Sequence, residues 1–290
     1  MQTIEATGEF VAFDLETTGL FPETDRVVEI GAVRFDRTGL EFGRYNRLVN
    51  PGRPMSPSAE AIHGLSDLDL AGEPGAPVVL PDFLTWLGDP RKTTLLAHHA
   101  RFDAGFLGRE LARLGLPFPD FEVIDTLHLA RCRRPEFPNH QLETLARGLQ
   151  IDHGGPQHRA LADSLRVKAL WLALEGDRGP HLSYPIFDPA REQEAPPNGW
   201  DRLAEAIRRN RPIRMEYAGG SRGTAPRDIT PRRFLHKGGV AYIVGFCHLE
   251  GFEKAFRLDR LLCYDVLDPV STGPFLADRR RSLEESRTGG

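Results

Sequence analysis

Cysteine is scarce in this chain: Cys132, Cys247 and Cys263 are the only three among 290 residues. Their odd number and wide spacing exclude a disulfide framework and a cysteine-rich zinc site, and favour a reducing compartment. No run of 18 uncharged apolar residues occurs, which excludes an ordinary membrane-spanning helix. The opening MQTIEATGEFVAFDLE lacks the basic-then-apolar order of a secretory signal, so a cytoplasmic protein without membrane attachment is expected. Excess charge is missing too. The formal net charge is −4, so the chain is no polycation and any nucleic-acid contact must be local. What is present, 40% apolar and 27% charged residues, is globular composition, and the length predicts two domains.

Charge divides unevenly. Residues 198–269 carry 13 basic and 9 acidic residues, a net of +4, leaving 24 basic and 32 acidic residues elsewhere, a net of −8. Between Gly176 and Gly199, Pro180, Pro185, Pro189, Pro196 and Pro197 break any helical or strand period. We read 1–176 as one domain, 177–198 as a linker and 199–270 as a second domain. The Arg-, Ser- and Glu-rich 271–290 reads as a flexible tail.

In the first domain Glu9–Glu16, Arg26–Phe35 and Gly43–Val49 read as strands joined by short turns, an antiparallel meander. Helices at Leu80–Leu87, Phe102–Leu114, Gln141–Leu149 and about Arg159–Leu174 alternate with strands at Thr94–His98 and Glu122–Asp125. Three strands followed by alternating elements imply an α/β fold, a mixed sheet flanked by helices.

Asp14 and Glu16 lie two apart on the first strand, so both carboxylates share a face opposite Val11, Phe13 and Leu15. Two unit charges 4 Å apart repel by about 4 kcal/mol at an effective dielectric of 20. A divalent cation with oxygen ligands resolves this repulsion. An isolated D-x-E is most often the wet face of an edge strand; two further elements change that reading. His98-His99-Ala100-Arg101-Phe102-Asp103 stands where a strand hands over to a helix, although an acid there is also ordinary helix-start chemistry. His158-Arg159-Ala160-Leu161-Ala162-Asp163 is the other. Five helical residues leave side chains about 140° apart, so His158 and Asp163 cooperate only if His158 precedes the helix. The loop Asp152-His153-Gly154-Gly155-Pro156 provides that. A histidine there can take a proton from an attacking water.

The order D-x-E, H-x-A-x-F-D, H-x4-D resembles the DEDD exonuclease superfamily in its histidine branch, the DnaQ-like (polymerase III epsilon-like) DEDDh enzymes. The resemblance runs from Glu9 to Leu174 and extends to Thr17-Thr18-Gly19, Glu29-Ile30-Gly31-Ala32-Val33, Ala61-Ile62-His63-Gly64 and Asp125-Thr126. It implies a ribonuclease-H-like fold and hydrolysis of phosphodiesters from a 3′ end with release of nucleoside monophosphates. It also implies Asp14, Glu16, Asp103 and Asp163 as ligands of two Mg²⁺ or Mn²⁺ ions and His158 as general base. Thr17, Thr18, Gly19, Leu20 and Phe102 would position the terminal nucleotide, with His63 and His98 as secondary candidates more in keeping with structural roles. One departure stands out: relatives usually carry Asn where His99 stands.

The second domain reads as a helix, Trp200–Arg209, and five short strands at Pro212–Ala218, Ile229–His236, Val240–Cys247, Ala255–Leu258 and Leu261–Leu267, a small barrel. Ile213-Arg214-Met215-Glu216-Tyr217, Pro231, Ala241-Tyr242-Ile243 and Phe256-Arg257-Leu258-Asp259-Arg260 resemble the WYL domain, an Sm/SH3-like barrel of bacterial regulators. The resemblance implies a nucleotide or single-strand ligand, with Tyr217, Arg232, Tyr242, Arg257 and Arg260 as candidates that combine ring faces with cations. The leading expectation is a bacterial DNA 3′→5′ exonuclease of repair or turnover. An exoribonuclease and a ligand-responsive regulator without nuclease activity are the alternatives. A polymerase partner would follow only from the polymerase-bound branch of the family.

Overall fold

The computed structural model describes residues 8–151, 155, 158–178, 181–188, 196–197, 199–218, 225–237 and 240–267. The chain divides into two compact units, Met1–Gln193 and Glu194–Gly290.

Strands β1 (Glu9–Thr17), β2 (Val27–Asp36) and β3 (Glu41–Leu48) form the antiparallel meander. β4 (Thr93–Ala97) and β5 (Glu122–Asp125) continue the sheet parallel to β1, and β6 (Ser183–Pro185) closes it antiparallel, in the order β3-β2-β1-β4-β5-β6. The helices are α1 (Pro57–His63), α2 (Asp67–Leu70), α3 (Ala76–Leu87), α4 (Ala100–Leu114), α5 (Thr126–Arg133), α6 (Leu142–Gly148) and α7 (Ala160–Ala173).

β1 is central and buried on both faces, and its alternation decides where the acids go. Val11, Phe13 and Leu15 enter one core with Phe83 of α3 and Phe106, Leu107 and Leu111 of α4. Phe10 and Ala12 enter the other, with Val167, Leu170 and Trp171 of α7. Asp14 and Glu16 prolong this second face toward the end of the strand, where apolar cover gives way to the start of α7. Gly31 lies opposite Asp14 in the β1–β2 register. A Cβ at Gly31 would stand 2.1 Å from the carbonyl carbon of Ala160 and the nitrogen of Leu161, so the bare glycine lets α7 begin directly on the sheet.

Four elements differ from the sequence-based expectation. α1, α2 and α5 replace presumed connections, and α3 starts at Ala76, ahead of Leu80, because Pro77 fits a first helical turn. Part of the expected linker is structured: Ser183–Pro185 pairs with β5, and Ile186 is buried in the core. Pro185 is tolerated there because β6 is an edge strand. The tail 271–290 and residues 152–154 and 156 of the loop before α7 lie outside the described residues.

The second unit holds α8 (Asp201–Arg208), β7 (Ile213–Tyr217), β8 (Arg227–Lys237), β9 (Val240–Cys247), β10 (Phe252–Arg257), a 3-10 turn at Leu258–Arg260 and β11 (Leu261–Val266). All pairings are antiparallel, in the order β10-β9-β8-β7-β11. The chain thus runs as a meander whose last strand returns to the first, the connectivity of a small SH3-like barrel. Leu203 and Ala206 of α8 are buried with Ile213, Met215, Ile229, Ile243 and Phe256. No described helix is long and apolar enough to cross a membrane.

Candidate active site

Four carboxylates meet at the end of β1. Asp14 and Glu16 come from its α7-facing side, and Asp103, 3% exposed, comes from the first turn of α4. Asp163 comes from the first turn of α7. Burial, then the charges of Asp103, Glu16 and Asp163, push Asp14 well above the usual carboxylate range. Burial, then Asp163 and Glu29, raise Glu16 to about 8. Asp103 is raised chiefly by burial, although backbone amides including that of Leu15 pull the other way. Asp163 is raised by burial against the opposing pull of Arg166. Ligand atoms of Glu16, His158 and Asp163 all lie within 4.8 Å of one another. Folding alone does not favour four acids so placed; hard divalent cations with oxygen ligands offset the repulsion, so this donor set fits Mg²⁺ or Mn²⁺.

The start of α7 is held by a second group of charges. Glu29, 1% exposed, lies opposite Glu16 in the β1–β2 register. It accepts from Arg159 Nε at 3.0 Å and Nη2 at 2.9 Å, and from the Ala160 backbone N–H at 3.1 Å. His158 precedes the helix with a left-handed φ of 53°. Its backbone N–H donates to Asp163 Oδ2 at 3.1 Å, while Arg166 Nη1 donates to Asp163 Oδ1 at 2.6 Å. Arg166 Nη2 also donates to the Gly155 carbonyl at 2.9 Å, tying the loop to the helix. Sequence reasoning gave Glu29 and Gly31 no role and missed Arg166. The available signal was an acid and a glycine inside the otherwise apolar Val27–Val33 run.

The Thr17–Leu20 turn is pinned from within. Thr17 Oγ1 donates to the Gly19 carbonyl at 2.6 Å, and Thr18 Oγ1 accepts from the Arg26 N–H at 3.1 Å. A Cβ on Gly19 would meet the Asp25 carboxylate at 2.4 Å. Leu20 projects, 60% exposed. His63 is buried beneath the turn: Nδ1 accepts from Leu65 N–H at 3.1 Å, so Nε2–H donates to the Thr17 carbonyl at 3.3 Å. It positions the turn. His98 is also structural. Burial lowers its pKa to about 4, so the ring is neutral, with Nε2–H donating to the His140 carbonyl at 2.8 Å and Nδ1 3.2 Å from Thr126 Oγ1. Both nitrogens are engaged with the protein, which leaves His98 no ring atom for a substrate. Phe102 is half-buried against Phe106, with ring centroids 4.7 Å apart.

Sequence comparison bears on this geometry directly. The sequence model of the exonuclease family matches residues 11–170, a stretch that includes all four acids and His158. The chain belongs to the exonuclease family. A WYL domain matches residues 199–266. Among curated relatives, the PolC-type DNA polymerase III of Bacillus cereus is 31% identical over 264 residues, covering 91% of this chain and 17% of that protein. The PolC-type enzyme of Oceanobacillus iheyensis is 37% identical over 155 residues, 53% of this chain and 10% of that one. The chain therefore spans less than a fifth of the length of these relatives. Among solved structures, the nuclease domain of 3′hExo, a DEDDh family member bound to rAMP, superposes with a TM-score of 0.52 at 21% identity, covering 59% of this chain and 92% of that one. E. coli exonuclease I in complex with a dA16 oligonucleotide gives 0.52 at 18% identity, 82% of this chain and 55% of that one. At such identities the likeness establishes the ribonuclease-H-like fold.

In the WYL domain the candidate residues separate. Tyr217 is buried, packs edge-on to Phe256 at 5.3 Å, and its hydroxyl accepts from the Arg257 N–H at 3.1 Å, so its ring belongs to the core and offers no stacking face. Tyr242 is half-buried and pairs across the sheet with Arg257. Arg257 is engaged with Asp259 at 2.9 and 2.6 Å. Arg232 lies apart, donating to Asn210 Oδ1 at 2.8 Å, and Arg260 is exposed. Arg227, missed in the sequence, is a buried cation 5.9 Å from the ring centroids of Tyr217 and Phe256.

Proposed function

We propose that the chain is a metal-dependent 3′→5′ exonuclease that hydrolyses DNA phosphodiesters and releases nucleoside 5′-monophosphates, in DNA repair or turnover. The observation that carries this reading is the convergence of Asp14, Glu16, Asp103 and Asp163, from three separate stretches of chain, onto one mutually repelling cluster. These four residues would hold two divalent cations, Mg²⁺ or Mn²⁺. Such a pair lowers the pKa of an attacking water and stabilises the leaving 3′ oxygen. His158, whose ring lies within 4.8 Å of ligand atoms of Glu16 and Asp163, would take the proton of that water. Asp163 fixes the backbone of His158, and Arg166 fixes Asp163. The turn at Thr17–Leu20 and the Phe102 ring would seat the terminal nucleotide. DNA is favoured over RNA because the relatives at 31–37% identity are DNA polymerases. The WYL domain would grip a single strand or nucleotide through Tyr242, Arg257 and Arg260. A polymerase partner is suggested only by relatives of which this chain spans a small part.

The test is Mn²⁺-dependent mononucleotide release from 5′- and 3′-end-labelled DNA and RNA assayed side by side. Immediate release of the 3′ label as mononucleotide from DNA supports the proposal. Faster release from RNA would make the enzyme an exoribonuclease, and no release from either would favour a binding regulator.

A further inference from the structure

His99 stands where α4 begins, and its backbone alone does the work there. It caps the start of α4 with φ 78° and ψ 50°, the left-handed region, which histidine enters, with asparagine and aspartate, more often than other side chains. The capping role needs only the backbone: the His99 N–H donates to Asp125 Oδ1 at 3.1 Å, and the His99 side chain makes no capping bond. The imidazole is exposed and lies nearly parallel to the Phe102 ring, at 18° with centroids 6.3 Å apart. Phe102 is in turn backed by Phe106 and precedes the acid Asp103. An exposed ring that makes no capping bond and lies flat beside Phe102 is free to meet a ligand.

Resting on the exonuclease reading, we infer that His99 and Phe102 form a paired ring platform at the edge of the carboxylate cluster, on which a nucleobase near the 3′ end stacks. The platform acts on bases without reading their hydrogen-bonding edges, since every base has a π-face. It makes His99 a specificity-determining residue for base-bearing 3′ ends over abasic ones.

The full chain and its His99→Asn and His99→Phe variants test this on oligodeoxythymidylate, with either an intact or an abasic 3′-terminal pair of nucleotides. His99→Asn should raise KM on the intact strand by about fivefold to tenfold, leave KM on the abasic strand unchanged, and hold or raise Tm. His99→Phe, which keeps a ring, should stay within about twofold of wild type on the intact strand. A 3′-terminal 2-aminopurine oligonucleotide, bound in EDTA, should be quenched by wild type and less by His99→Asn; this readout survives if the chain hydrolyses nothing. Equal KM changes on both strands, or equal quenching by both proteins, overturns the platform while leaving exonuclease activity standing.

Discussion

Gly31→Ala perturbs the site without touching any acid. The new methyl would lie 2.1 Å from backbone atoms of Ala160 and Leu161, where ordinary contact needs about 3.4 Å. Backbone cannot swing aside like a side chain, so β2 and α7 must separate by about 1.3 Å. Overpacking of this kind costs about 1–3 kcal/mol. The functional loss should be larger in proportion, because Asp163 rides on the displaced helix while Asp14, opposite Gly31, stays on the sheet. A misplacement of about 1 Å at a reacting centre costs on the order of 100-fold in rate. Single-turnover release of a 3′ label, beside thermal melting, would measure both. We expect a fall in rate of about 100-fold with Tm lowered by only a few degrees. A variant within twofold of wild-type rate would refute the claim that close seating of α7 on Gly31 sets the geometry.

Asp14→Asn should abolish nucleotide release yet raise Tm in EDTA, since burial and the neighbouring acids penalise the ionised carboxylate that an amide never forms. Asp163→Ala should also abolish release but lower Tm, because it strands the buried Arg166; melting both variants distinguishes the roles. Arg166→Leu should cost about 3 kcal/mol, the low end for breaking a buried pair, in denaturant titration. Without metal, stability should fall as pH rises from about 4.5 to about 8, because folded Glu16 binds its proton more tightly than unfolded Glu16. His98 runs the other way: folded it resists protonation, so stability is lost as pH drops from 6.5 toward about 4. Saturating Mn²⁺ should flatten the first slope and leave the second; urea melts across pH with and without the ion test this. His158→Ala should slow single-turnover release by about 100-fold to 10,000-fold, the range a positioned general base contributes.

Much of this arrangement was legible because strand alternation is rigid. Once Glu9–Glu16 reads as a strand, Asp14 and Glu16 must share a face, and the structure adds that this is the face α7 covers. Helix geometry likewise required His158 to precede the helix if it is to work with Asp163. Short helices were not legible: α1 and α2 are seven and four residues long, stabilised by Ser56 and Ser66 caps rather than by a periodic apolar face. α5 follows β5 without a break, Asp125 being at once strand end and cap. The histidines mislead for another reason. A histidine near a site looks chemical in sequence, whereas His63 spends its ring nitrogens on the Leu65 N–H and the remote Thr17 carbonyl, and His98 on the His140 carbonyl and the Thr126 hydroxyl. Tyr217 deceives similarly, its ring face being consumed by the core.

Glu29 shows how the fold tolerates so much negative charge. Facing Glu16 across the ladder, it adds to the repulsion that raises Glu16 and Asp14. Its carboxylate is offset by a bidentate guanidinium and the first free N–H of α7, charge-assisted bonds that are strong in a buried setting. The same contacts fix where α7 begins. Glu29 is thus partly offset by Arg159 where it locates the helix, and Asp163 by Arg166 where it locates the loop. Arginines thus locate the helix through Glu29 and the loop through Asp163, while the buried cluster of Asp14, Glu16, Asp103 and Asp163 keeps a repulsion that a divalent cation would offset.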